Sequence, residues 1–361
     1  YGVYDGRTFK ADRFAAYLAA NDIPWPRLDT GRLALDDDTF RGMARAYPQV
    51  SALQELRHAL GALRLNSLAV GPDGRNRTLL SPFRSKTGRN QPSNSKAIFG
   101  TAVWVRGLIK PEAGTALAYL DFASQEFAIA ACLSRDEKMW RAYESGDPYL
   151  QFAKDAGLAP PDATKSSHEA VRDRCKHIVL GVQYGMSAYG VAQRAGILVA
   201  EARELLQLHR EHYRAFWAWA EQNVDNVLAG ATLSTPMGWQ FRQGMGTEGN
   251  PRSILNWPMQ STGADILRLS CVRLMEAGVK ICAPVHDAIL IEAPLDALDE
   301  QVELARGIME QACRDLLRGR ACRVDAETIK HPDRYMDTKR GLGMWNTVMR
   351  SVGLPEYEGG R

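Results

Sequence analysis

The chain has 361 residues, 45% of them hydrophobic and 24% charged, ordinary values for a folded globular protein of about two to three domains. Its formal net charge is only +3, so bulk charge alone does not mark a nucleic-acid binder. Six scattered cysteines without a Cys-x-x-Cys pair argue against a zinc site and a secreted disulfide scaffold, and for a reducing, cytoplasmic setting. No apolar run approaches the roughly 18 residues that span a bilayer, and the N-terminus has no signal-peptide layout. It also lacks Met, which reads as a fragment of a longer chain.

Residues 1–50 read as short helices broken by Pro24, Pro26 and Gly31. Asp36, Asp37 and Asp38 suit a helix start, where acids are favoured. Leu53, Leu56, Leu60 and Leu63 recur at helical spacing within 49–65. Between Gly74 and Pro111 stand eight Lys and Arg and no Asp or Glu before Glu112. A solvated basic loop and a phosphate-tracking surface both fit this stretch.

The apolar run from Thr115 to Ala123 reads as a buried strand that ends in Asp121. Helices follow at 125–133 and 137–143, then a long basic one over 168–195 and another over 199–229. A hairpin around Pro236 and Gly238 covers 231–247, and a helix covers 258–277. Lys280 to Ala293 reads as two strands with His286 and Asp287 at the turn between them. A helix at 295–318 and a strand near 322–329 complete an α+β pattern.

Asp121 and Asp287 each fit a bland capping or turn aspartate when taken alone. Together they offer what magnesium chemistry needs, because that ion takes one or two carboxylates plus substrate phosphates. Arg172, Lys176, Leu180 and Tyr184 recur every four residues, a slowly turning stripe on one helix side. Two cations, an apolar residue and an aromatic suit a triphosphate and then a sugar or base. Gly181 and Gly185 weaken the alternative of a plain amphipathic helix. His209 and His212 share a helix face near Trp217 and Trp219, but no third metal ligand accompanies them.

These motifs resemble the polymerase domain of family A DNA polymerases, the polymerase I-like group. Asp121-Phe-Ala-Ser-Gln-Glu126 is similar to the family's first catalytic motif. Arg172-x-x-x-Lys176-x-x-x-Leu180-Gly-x-x-Tyr184-Gly185 resembles its nucleotide-binding helix, and Val285-His286-Asp287 its third motif. Thr87-Gly88-Arg89 is similar to its primer-contacting loop, and Arg252-Ser-Ile-Leu-Asn256-Trp-Pro-Met-Gln260 to its minor-groove helix. The order and spacing agree from about residue 30 onward.

The resemblance implies a right-hand polymerase fold with an antiparallel palm sheet, fingers and a short thumb. The implied divisions are a linker or remnant over 1–30 and a thumb with the basic primer-contact loop over 31–99. Palm would occupy 100–160 and 251–361, with fingers over 161–250. No proofreading exonuclease domain is expected within the chain. The implied activity is template-directed DNA synthesis with two Mg2+ ions, Mn2+ serving as a substitute. Asp121, Asp287 and the Phe122 carbonyl would hold the metal. Arg172 and Lys176 would bind the phosphates, with Lys176 as proton donor to pyrophosphate. Leu180, Tyr184 and Glu126 would surround the sugar and base. Arg89, Arg252, Asn256, Gln260 and His286 would hold primer-template DNA. Implied partners are that DNA, deoxynucleoside triphosphates and replication proteins, without a membrane, for a monomer acting at DNA in a bacterial or phage-infected cell. Replication of a phage or mobile element and DNA repair both suit this chemistry.

Four positions depart from the pattern. Leu180 stands where Phe or Tyr is common, Ala288 where Glu is usual, Ala128 where Arg is common, and Tyr149 where His is frequent. The rival readings are a single-subunit RNA polymerase relative, a non-catalytic DNA-binding polymerase-fold module, and a metal-dependent nuclease.

Overall fold

A computed structural model of the chain describes residues 1–6, 8–62, 68–92, 96–242 and 250–358. They divide into two compact units. One contains Tyr1–Leu79, Pro92–Ile109 and Tyr335–Arg361; the other contains Leu80–Gln91 and Lys110–Arg334. No helix among the described residues is long and apolar enough to cross a membrane.

The first unit carries helices at Ala11–Ala20, Asp37–Ala46, Ser51–Ala62 and Leu342–Ser351. Asp36 does cap a helix, accepting the Thr39 N–H at 2.9 Å. Within 1–30, expected as a linker or remnant, Val3, Phe14, Leu18 and Ile23 are buried in a small core with Phe40, Val50 and Leu53. Phe14 is fully buried there, with its ring 5.3 Å from Phe40 and 4.8 Å from Trp25. The amphipathic spacing of Phe14 and Leu18 on their helix explains this, since both sides bury together. Arg57 lays its guanidinium over Phe40 at 4.2 Å and over Phe9 at 4.4 Å. Leu63, the last expected member of its helical stripe, lies outside the described residues. A second small cluster joins Trp104, Val105 and Trp345.

The second unit is built on a four-stranded antiparallel sheet. Its strands are β1 (Thr115–Phe122), β2 (Lys280–Val285), β3 (Ala288–Pro294) and β4 (Val324–Lys330), in the spatial order β4-β1-β3-β2. Along β1, Ala116, Ala118, Leu120 and Phe122 are buried, while Thr115, Tyr119 and Asp121 are half-open. The period of two therefore puts Asp121 on the open face, anchored by a strand whose other face is core.

Among the described residues of this unit nine α-helices follow in chain order: α1 (Gln125–Ser134), α2 (Glu137–Glu144), α3 (Pro148–Asp155), α4 (Glu169–Gln183), α5 (Ala188–Ala195), α6 (Val199–His212), α7 (Arg214–Leu228), α8 (Pro251–Glu276) and α9 (Leu298–Leu316). Helix α1 is apolar on nearly every side and is buried accordingly. Asp136 caps α2 through the Lys138 and Met139 N–H groups, and its second oxygen accepts the Phe216 N–H at 3.1 Å. One buried acid thus fixes the start of α2 and the first turn of α7 together.

Three expected elements differ. The single helix over 168–195 is two, because the chain turns at Tyr184 and Gly185, where Gly185 has φ +62°. A Cβ there would lie 3.0 Å from the Arg252 side chain, so both the backbone conformation and the close approach require glycine. The single helix over 199–229 breaks at Tyr213, whose ring is fully buried against Phe127 and Phe152. The helix expected from 258 begins at Pro251, with Asn250 as its cap and Pro258 inside it. Pro258 lacks an N–H, which argues for a boundary in sequence, yet the buried side chains of Ile254, Trp257 and Met259 hold the helix through it. The expected hairpin pairs Leu233–Ser234 with Gln240–Phe241; its residues 243–247 lie outside the described residues.

Candidate active site

The β2–β3 hairpin and the end of β1 bring the two expected carboxylates together. Asp287 lies in the two-residue turn after His286, which takes φ +57°. Asp121 lies opposite Ala288 in the β1–β3 register, and the Phe122 N–H reaches the Asp287 carbonyl at 3.4 Å. On the other side Asp121 lies opposite Asp325 of β4, an acid not singled out from sequence. Burial first, then the charges of Asp287 and Asp325, push the Asp121 carboxyl up to about 7.

Oδ1 of Asp121 is buried and has no hydrogen-bond partner. A costly, unpartnered carboxylate oxygen beside a second carboxylate fits a hard divalent cation, which takes oxygen ligands and leaves the rest of its shell to substrate. Among the described residues no group of three or more His, Cys, Asp or Glu is placed to hold a metal. Ala288 leaves only a methyl group opposite Asp121.

Asp121 offers a pH test. Its raised folded-state value means that the metal-free fold gains stability from the bound proton below about pH 4. That contribution is lost as pH rises through about 7. Divalent binding needs the carboxylate, so magnesium affinity is expected to rise between about pH 6 and pH 8, with about one proton released at the lower end. Calorimetry in buffers of different ionisation enthalpy checks this; a flat affinity would contradict it.

The cationic stripe lies on α4. Arg172 donates through Nε to Asp147, and through Nη1 to Asp173 at 3.1 Å. Lys176 is exposed and has no ion pair among the described residues. The Tyr149 ring lies 5.5 Å from the Arg172 guanidinium and 5.9 Å from the Lys176 ammonium. The Tyr149 hydroxyl meets the Ser124 hydroxyl at 3.4 Å, only two residues past Phe122. Tyr149 therefore links the first motif to the cationic helix. Leu180, next on the stripe, is half-buried against the core.

Glu126 opens α1 and accepts a hydrogen bond from Arg89 at 2.9 Å. Tyr184 ends α4; burial first, then the charge of neighbouring Glu126 and a hydrogen bond to it, push its phenol up to about 12. Arg252, Asn256 and Gln260 recur every four residues on α8, one stripe of a continuous helix. Oδ1 of Asn256 is buried without a partner.

His209 and His212 belong elsewhere. His209 is buried and accepts the Trp217 indole N–H at 3.1 Å, and burial, with His212 second, pushes it down to about 3. His212 faces Asp155 at 3.3 Å. His209 is a core residue and His212 is half-buried beside it, and Trp217 and Trp219 pack against the unit's core.

Sequence reasoning missed several supports of the site. Asp147 caps α3 through the Leu150 N–H while holding Arg172; the Asp147-Pro148 pair is the local signal for this helix start. Trp239, Trp257, Asp265 and Arg268 hold the loop that carries Arg89. For Trp239, Trp257 and Arg268 the loop partners are more than 150 residues away in sequence, so no local pattern marks them, while Asp265 acts on the loop only through Arg268, three residues on.

The family model for DNA polymerase family A matches residues 89–326. The thermostable DNA polymerase I of Thermus caldophilus is 28% identical over 306 residues, covering 78% of this chain and 36% of that protein. DNA polymerase I of Chloroflexus aurantiacus is 25% identical over 315 residues, covering 81% of this chain and 33% of that protein. The chain thus spans about a third of the length of these curated relatives. The solved polymerase domain of Pol1 from M. smegmatis, in complex with DNA primer-template and dNTP, superposes with a TM-score of 0.68 at 22% identity. That match covers 89% of this chain and 60% of that one. The fold is the mixed helix and antiparallel-sheet fold of that polymerase domain. With the family model matched over most of its length, the chain belongs to DNA polymerase family A.

Proposed function

We propose that the chain adds deoxynucleotides to a primer 3′-hydroxyl under the direction of a template. The observation that carries this reading is Asp121 at the end of β1 beside the β2–β3 turn that carries Asp287, together with a helix whose Arg172 and Lys176 share one aromatic neighbour, Tyr149. In the reaction the primer hydroxyl attacks the α-phosphate of a deoxynucleoside triphosphate and pyrophosphate leaves.

Asp121 and Asp287, with the Phe122 carbonyl, would hold two magnesium ions. When bound, these supply positive charge next to the attacking hydroxyl and the triphosphate. Lys176 and Arg172 grip the β- and γ-phosphates, and the Lys176 ammonium gives a proton to the leaving pyrophosphate. For Arg172 this means exchanging part of its bond to Asp147 for phosphate oxygens, a fork that guanidinium suits. Glu126 fills the space of a ribose 2′-hydroxyl, and Tyr184 stacks beside the incoming sugar and base. Arg89, Arg252, Asn256, Gln260 and His286 hold the primer end and minor groove, reading duplex shape rather than sequence. In this reading 31–99 serves as thumb and primer-contact loop, 161–250 as fingers, and 100–160 with 251–361 as palm.

Extension of a labelled primer on a longer template, in magnesium, tests the reading. Deoxynucleotides are expected to be added and ribonucleotides excluded. Equal use of both would favour the RNA polymerase relative, and no extension in any metal or salt would leave a DNA-binding module.

Leu180 gives a further expectation. A half-buried Leu fills less of the sugar pocket than the Phe or Tyr common in relatives. Leu180→Phe is expected to change the ratio of dideoxy- to deoxynucleotide use, or the incorporation rate, by about threefold or more. Less than a twofold change in both would contradict this.

A further inference from the structure

We infer that Arg268 is a positioning residue that sets ribose discrimination through the loop carrying Arg89, an inference that rests on the nucleotide-addition reading above. Residues 82–90 form turns without helix or strand, so the place of Arg89 depends on what holds those turns. Arg268 of α8 holds them in two ways. Its Nη2 donates to the Gly88 carbonyl at 2.8 Å, and its guanidinium lies 3.8 Å over the Phe83 ring. Its Nη1 donates to Asp265 at 2.9 Å.

Asp265 is 2% exposed, so its charge fixes the guanidinium plane in one orientation. The planar fork then aims its other branch at Gly88. Trp257 and Trp239 add their indole N–H groups to the Lys86 carbonyl, at 2.8 and 3.3 Å. Gly88 has φ +70°, and a Cβ on it would lie 3.1 Å from the Trp239 indole nitrogen. The loop is thus pinned on both sides of Thr87, and Arg89 follows directly. Arg89 in turn donates to Glu126 at 2.9 Å, the residue assigned to block the ribose 2′-hydroxyl.

A continuous chain of contacts therefore runs from buried Asp265 through Arg268, the Gly88 carbonyl and Arg89 to Glu126. It touches neither Lys176 nor the Asp121–Asp287 pair. Releasing Arg268 frees Arg89, and Glu126 loses the partner that orients it. Ribonucleotide use then rises relative to deoxynucleotide use. A general loss of folded protein lowers both alike and leaves the ratio unchanged.

The test compares kcat/KM for a deoxynucleotide and its ribonucleotide on one primer-template. Arg268→Ala is accompanied by the pair variant Asp265→Asn with Arg268→Gln, which removes both charges together and leaves no lone buried acid. The preference is expected to fall about tenfold in each. Arg89→Ala is expected to lower it as far, and adding Arg268→Ala to Arg89→Ala to change it by less than about twofold, as for residues that act in one chain. A selective unaltered chain whose preference survives in both Arg268 variants, or losses that multiply in the double variant, overturns this role alone. An unaltered chain that adds neither nucleotide overturns the polymerase reading, and this role with it.

Discussion

Asp287→Ala is expected to lower single-turnover primer extension by about a thousandfold or more, the scale of losing a charged group that acts at the reacting phosphate. Asp121→Ala is expected to do the same. Primer-template affinity is expected to stay within about threefold, because the arginines proposed to hold the duplex are unaltered. Unfolding does not account for the loss. Asp287 stands in a turn, and its charge is one of the causes that raise the Asp121 carboxyl. Removing it relieves repulsion, so the metal-free Asp287→Ala chain is expected to melt at or above the temperature of the unaltered chain near neutral pH. Rapid-quench extension beside thermal melting checks both halves. A variant that extends at near-normal rate would remove Asp287 from the chemistry.

Lys176→Ala has the second-largest expected effect, a loss of about a hundredfold in kcat/KM for the nucleotide with duplex binding unchanged. The ammonium stands over the Tyr149 ring and has no ion pair among the described residues, so it is free to meet phosphate. Arg172 differs, being tied to Asp147 and Asp173. If Lys176 also gives the proton to pyrophosphate, Lys176→Arg keeps the charge and restores KM before it restores kcat. A metal-dependent nuclease has no use for this lysine, so equal nuclease activity with and without it, and no nucleotide addition, would favour that rival.

The parts of the site visible in sequence were those set by local pattern. The apolar run before Asp121 and the paired runs around His286-Asp287 fixed a strand end and a turn. The stripe from Arg172 to Tyr184 fixed one helix side. Elements were mistaken where a long-range contact outweighed local signals. Gly185 turns the chain against Arg252 and ends α4 early. Buried neighbours carry α8 through Pro258. Phe14, Trp25 and Phe40 give residues 1–30 a core that their prolines obscured. Arg268 and Asp265 read as an ordinary i, i+3 helix pair, and only the folded loop shows that one branch of the guanidinium serves Gly88.

Ala288 and Ala128 stand where the resemblance to family A leads one to expect Glu and Arg. Both are fully buried. The carboxylate pair remains, with Asp325 as a further acid in register.

Single-nucleotide addition by the intact chain in magnesium tests the central claim most directly. Four primer-templates differing only in the first unpaired template base are each offered one deoxynucleotide at a time. Addition of the complementary nucleotide alone on every template, lost in Asp287→Ala, is the predicted result. Addition that ignores the template base, or that persists unchanged in Asp287→Ala, would contradict it.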